Sequence, residues 1–149
     1  RVWFAISKAT APEDYVGLIS FVNIAPSNRS IGLGGIIFSK HLQKSTASTE
    51  AFYLMMKYCF EELGYMRMEW KCNVLNEPSK AAALRLGFKY EGTSRQHLVM
   101  KGYSCDISYY CMIDQQWFDT KREIERWLQP TNFDKEGQQL TKLNLKTRS

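Results

Sequence analysis

Two rhythms of hydrophobic positions divide this chain. Over its first quarter, short apolar runs alternate with turn chemistry. Residues 2–6 (VWFAI), 15–24 (YVGLISFVNI) and 30–38 (SIGLGGIIF) read as strands. A turn is expected over 7–14, around Ala11-Pro12-Glu13-Asp14, and another at Ala25-Pro26-Ser27-Asn28. The third strand carries Gly32, Gly34 and Gly35, which weaken a strand interior unless a bulge or a close ligand needs them. The spacing then changes to three and four. Phe52, Met55, Cys59 and Leu63, with Met56 and Phe60 beside them, predict a helix over 46–63 that Gly64 stops.

The alternation resumes at 66–72 (MRMEWKC), a fourth strand. Asn76 suits an N-cap and Pro78 a first helical turn, so a second helix is predicted to about Leu86, with Gly87 as its left-handed terminator. Residues 88–100 and 103–113 read as a hairpin turning near Lys101-Gly102. A last helix covers 115–128 through Trp117, Ile124, Trp127 and Leu128, and Pro130 ends it. The order β-β-β-α-β-α-β-β-α predicts a mixed α+β sheet, with a βαβ crossover possible over 30–72. Residues 1–129 form one domain on this reading. Residues 130–149 form a polar tail, extended or disordered.

Composition adds limits. The 149 residues suit one domain, and 44% apolar with 13% aromatic residues fits a globular chain. No apolar run approaches the roughly 18 residues that span a membrane, so no membrane association is expected. The net charge is +5, but no basic stripe interleaved with aromatics appears, and nucleic acid is not an expected partner. Cys59, Cys72, Cys105 and Cys111 form no C-x-x-C, and His41 and His97 lie far from any such pair. Neither zinc nor a disulfide is expected, and reduced, packed thiols point to a cytoplasmic or nuclear setting. The chain opens with Arg1 directly before a strand, as a fragment or processed form would.

Candidate chemistry begins after the third strand. A small-residue loop leads into the helix at 46, and unpaired N–H groups at a helix start form an anion site. The same residues also serve as an ordinary Ser/Thr cap. Asn76-Glu77-Pro78-Ser79 opens the second helix in the same way. Asn76 and Ser79 either cap that helix or reach a bound amide or hydroxyl.

Residues 43–51, QKSTASTEA, resemble the pyrophosphate loop of GNAT acetyltransferases, patterned Gln or Arg, two residues, Gly, one residue, Gly or Ala. Residues 69–92, EWKCNVLNEPSKAAALRLGFKYEG, resemble the segment that follows. Their N-x-x-S and L-G-F-x-x-E-G pieces mark the branch of ribosomal-protein N-terminal acetyltransferases, and within it a microbial and fungal subgroup that also shows the late W-L-x-P-x-N-F-D. The likeness covers almost the whole chain. It implies the GNAT fold, lacking here the first strand and two helices that shape the acceptor pocket. The 149-residue form is accordingly expected to be weaker in folding and activity than a longer one.

The resemblance implies acetyl-CoA as co-substrate. Pantetheine would bond strand backbone near Ile36, Ile37 and Phe38, in the opening between the strands at 30–38 and 66–72. The pyrophosphate would sit on Gln43, Lys44, Ser45, Thr46, Ala47 and Ser48, with Asn76 and Ser79 facing the cofactor. Three departures stand out: Thr46 and Ser48 replace the loop's Gly and Gly/Ala, Ala83 replaces a Tyr general acid, and Gly32 replaces an acidic strand residue. The implied reaction is direct acetyl transfer to a primary amine, on a protein N-terminus or a small molecule. Ser79 is the candidate donor to the departing thiolate. Glu69 and Asp106 are candidate bases, or structural carboxylates. Trp70 and Tyr109 either line the acceptor pocket or fill the core. Arg95 and Lys101 either meet an acidic acceptor or stay solvated. The competing reading is a CoA-binding or protein-interaction module without catalysis.

Overall fold

The computed structural model describes residues 1–143 and 145, and the chain divides into two compact units, residues 1–68 and 69–149. Among the described residues, six strands and three α-helices follow in the predicted order, a mixed α+β fold.

In the first unit, β1 (Val2–Lys8), β2 (Ala11–Ala25) and β3 (Ser30–Phe38) form an antiparallel meander, followed by α1 (Thr46–Lys57). The first turn is shorter than expected. Pairing runs on to Lys8↔Ala11, and register shifts after Ile6 and Ser7 leave Pro12 outside the ladder, where its missing N–H costs nothing. The strands contribute Ile19, Phe21, Ile31 and Leu33 to the core, and the helical segment contributes Phe52, Met55, Met56, Cys59 and Phe60. Phe38 meets Phe52 with ring centroids 5.3 Å apart, and Phe21 stacks on Tyr58 at 6.3 Å.

Of the three β3 glycines, Gly35 belongs to a bulge, whereas Gly32 and Gly34 pair with Val22 and Ser20. Leu18 pairs with Ile37 and Ser20 with Gly34, so β3 spends one extra residue. Gly35 takes φ +61°, and a Cβ there would lie 2.6 Å from the Trp3 ring. The predicted helix over 46–63 differs at its end. After Lys57 it widens into a π turn over Tyr58–Glu62, with the Leu63 N–H bonded to the Tyr58 carbonyl at 3.0 Å. The widened turn carries Leu63 off the buried face, to 42% exposure. Gly64, at φ +65°, ends the segment, and the Arg29 guanidinium donates to its carbonyl at 2.9 and 2.6 Å.

The second unit holds most of β4 (Arg67–Asn73), then α2 (Glu77–Arg85), β5 (Lys89–Met100), β6 (Tyr103–Ile113) and α3 (Asp114–Trp127). The strands lie in the order β4-β6-β5. Lys101 and Gly102, at φ +51° and +82°, make the tight turn of the β5–β6 hairpin. Trp70, Phe88, Tyr110, Met112, Trp117, Ile124 and Trp127 are buried. Beyond Pro130 the chain is neither extended nor loose over the described residues. Phe133 meets Trp127 edge-on at 5.2 Å, the Trp127 indole N–H donates to Gln139 Oε1 at 3.0 Å, and the Asn132 amide donates to the Trp127 and Thr141 carbonyls. The expectation for residues 144 and 146–149 lies outside the described residues.

Candidate active site

The loop after β3 is built to present backbone N–H groups. Gln43 Nε2 donates to the Phe38 carbonyl at 2.9 Å and ties the loop to the strand it leaves. Lys44 sits at φ +57°, a left-handed residue that reverses the chain. Ser45, extended at φ −93° and ψ 164°, is the N-cap: its Oγ accepts the Ser48 N–H at 3.1 Å. Ser48 Oγ donates back to the Ser45 carbonyl at 2.7 Å. Among the described residues, no protein acceptor takes the N–H of Lys44, Thr46 or Ala47. These three donors stand beside the positive end of α1's dipole, and no acidic residue lies in the first turn of that helix. Thr46 and Ala47 keep free N–H groups although neither is glycine, because the first helical positions have no partner within the helix. Of the strand residues expected to meet pantetheine, Ile36 and Phe38 are half-buried and Ile37 is 60% exposed.

In the second unit, Asn76 caps α2: its Oδ1 accepts the Ser79 N–H at 3.2 Å. Ser79 Oγ accepts the indole N–H of buried Trp70 at 3.0 Å. Trp70 therefore packs on the α2 side of its strand, with its ring 5.6 Å from Phe88. Glu69 and Lys71 alternate with Trp70 and project from the other face of β4. The structure thus does not bring Ser79 and Glu69 to one face.

Asp106 is engaged. Its Oδ1 accepts the Gln96 N–H at 2.7 Å, and its carbonyl accepts the Val74 N–H at 3.0 Å. The β5 register jumps from Ser94↔Ile107 to Leu98↔Cys105, so a bulge of two extra residues surrounds Gln96, itself at φ +50°. That bulge sets His97 against Tyr109, whose hydroxyl lies 3.2 Å from His97 Nε2, while Ser94 Oγ lies 3.1 Å from Nδ1. Lys71 Nζ lies 5.5 Å from the Tyr109 ring centroid. The Ser94, His97 and Tyr109 cluster was not foreseen, because alternation along a strand does not announce a bulge in it.

Two positions singled out in the sequence are closed to larger side chains. Ala83 is fully buried, so a tyrosine there would have no room. A Cβ on Gly32 would lie 2.9 Å from Val22 Cγ2. Among the described residues no group of three His, Cys, Asp or Glu side chains could hold a metal ion.

The family described as the acetyltransferase (GNAT) domain matches residues 1–89. Bacillus subtilis YdaF, named for a ribosomal N-acetyltransferase, is 34% identical over 101 residues, which is 68% of this chain and 55% of that protein. The ribosomal-protein-serine acetyltransferase of Escherichia coli is 29% identical over 105 residues, 70% of this chain and 58% of the relative. A crystal structure of a GCN5-related N-acetyltransferase from Brucella melitensis superposes with a TM-score of 0.91 at 38% identity, covering 95% of this chain and 64% of that one. The chain therefore spans a little over half the length of these curated relatives.

Proposed function

Because this chain belongs to the GNAT acetyltransferase family, in its ribosomal-protein acetyltransferase-like branch, we propose that it transfers the acetyl group of acetyl-CoA directly to a primary amine. The observation that carries the reading is the set of three unspent N–H groups on Lys44, Thr46 and Ala47 at the positive end of α1. Such a cradle fits a pyrophosphate. Acetyl-CoA, when bound, supplies the activated thioester.

The loop 43–48 then holds the phosphates, with Gln43 fixing the loop on β3 and Ser45 and Ser48 fixing the helix start. Backbone groups of Ile36, Ile37 and Phe38 align the pantetheine, and one of their N–H groups stabilises the oxyanion that forms at the acetyl carbonyl. Asn76 sets the first turn of α2, and Ser79 offers its hydroxyl hydrogen to the departing sulfur. Glu69 and Asp106 are the candidate bases, directly or through water; Asp106 spends one carboxylate oxygen on the bulge, and Glu69 projects from the β4 face away from Ser79. The acceptor is a protein N-terminus or a small-molecule amine. The reading carries a cytoplasmic or nuclear location, supported by the buried thiols of Cys59, Cys72 and Cys111. No described helix is long and apolar enough to cross a membrane.

A second reading, a module that holds CoA or a protein partner without catalysis, is favoured by the packed Ala83, which excludes the tyrosine acid of many relatives. Incubation of acetyl-CoA with amines and with peptides bearing free N-termini separates the two. Amine-dependent release of CoA thiol with an acetylated product is expected. CoA binding without turnover on any amine would favour the second reading.

A further inference from the structure

We propose that Trp70 is a positioning residue that aims the Ser79 hydroxyl, an inference that rests on the reading of Ser79 as hydrogen-bond donor to the departing sulfur. Trp70 is 3% exposed, and a buried indole N–H requires an acceptor. Ser79 Oγ meets that requirement at 3.0 Å. An indole only donates, whereas a hydroxyl both donates and accepts. The contact therefore uses one lone pair of Oγ and leaves the hydroxyl hydrogen unspent. Among the described residues, no acceptor takes that hydrogen, and Ser79 is only half-buried.

The anchor is stiff at both ends. The Trp70 ring packs edge-on against Phe88, itself 2% exposed. The Ser79 backbone is fixed by the Asn76 cap. Without the indole N–H, Oγ would regain its other rotamers, and a helical serine then turns to a carbonyl about one turn back. That alternative would spend the hydrogen inside the protein. Trp70 thus keeps Ser79 a donor to something that is not protein.

In the transfer step the amine nitrogen forms a bond to the acetyl carbon. The carbon–sulfur bond breaks with its electron pair on sulfur, and the amine proton leaves to a carboxylate base (Glu69 or Asp106) or to water. The Ser79 hydroxyl hydrogen-bonds the sulfur without giving up its proton, so Trp70 acts only through Ser79.

The test is the apparent pKa of the thiol of protein-bound CoA, read from thiolate ultraviolet absorbance, in a cycle of Trp70→Phe, Ser79→Ala and the double variant. Phenylalanine keeps a ring against Phe88 and removes the N–H. If it fails to fold, benzothienylalanine at position 70 keeps the ring shape with sulfur in place of N–H. Trp70→Phe should raise the thiol pKa by on the order of one unit, and kcat should fall about tenfold with KM for acetyl-CoA unchanged. The double variant should match Ser79→Ala. If Ser79→Ala leaves the thiol pKa unchanged, the Ser79 reading fails and the proposal falls with it. If Ser79→Ala moves it and the position-70 variant does not, or moves it equally without Ser79, only the role of Trp70 is overturned.

Discussion

Asp106 Oδ1 accepts the backbone N–H of Gln96 at 2.7 Å and so holds the β5 bulge that sets His97 against Tyr109. A carboxylate with this task supports structure before it supports chemistry. Asp106→Ala should cost about 1–2 kcal/mol in urea denaturation, the value of a hydrogen bond to a charged group at a partly exposed site. Asp106→Asn keeps an acceptor oxygen and should retain most stability and most turnover. A well-folded Asp106→Asn protein with abolished acetyl transfer would show that Asp106 is the base after all.

Asn76 accounts for two effects that one substitution separates. Its Oδ1 caps α2 through the Ser79 N–H. Asn76→Ala should lower stability by about 1 kcal/mol. Because the cap also fixes Ser79, the residue proposed to meet the sulfur, CoA affinity should fall as well. Asn76→Asp, which still caps, should restore stability. If Asn76→Ala loses stability while calorimetry gives unaltered CoA binding, the residue is a cap and nothing more.

Cys59 is fully buried, and desolvation pushes its thiol up to about 12 from the ordinary 9.0. Between those values the unfolded chain releases a proton that the folded chain keeps. Stability is therefore full below about pH 9 and declines as pH rises toward 12, with a limiting slope of about 1.4 kcal/mol per unit from this group. Urea midpoints above pH 9 should fall more steeply in the native protein than in Cys59→Ala. In native alkylation Cys105, half-buried, should react before Cys59. Equal alkylation rates at the two cysteines would contradict this burial.

The parts of the fold that chain chemistry dictates locally were legible from the residues. Gly64 and Gly87 end their helices at positive φ, Asn76 caps where its type and position predict, and Lys101-Gly102 turns the hairpin. What escaped depends on pairing between distant segments or on residues used against their preference. Lys44 takes a left-handed conformation that nothing in its own chemistry favours, and the loop around it supplies the reason. The π turn after Lys57 shares the apolar spacing of an α-helix, so the spacing could not separate them. The segment after Pro130 looked polar and loose, yet Asn132 and Gln139 spend their amides on backbone and on Trp127. At the candidate site, the loop and the Asn76–Ser79 turn could be picked out by residue type. The indole bond to Ser79 could not, because the 9-residue separation says nothing of which way Trp70 points.

The claim that most needs a direct test is that the first turn of α1 takes the pyrophosphate through its backbone. Thr46 is the first residue of that helix, where proline is tolerated, and Ser45 before it is already extended as a residue preceding proline must be. Thr46→Pro should therefore leave the melting curve nearly unchanged while deleting one of the three unspent N–H groups. Titration calorimetry with CoA should show affinity weakened about ten- to a hundredfold, as for one lost charge-assisted hydrogen bond. Pantetheine, which lacks the phosphates, should bind wild type and variant alike. A folded Thr46→Pro protein that binds CoA as tightly as wild type would contradict the account.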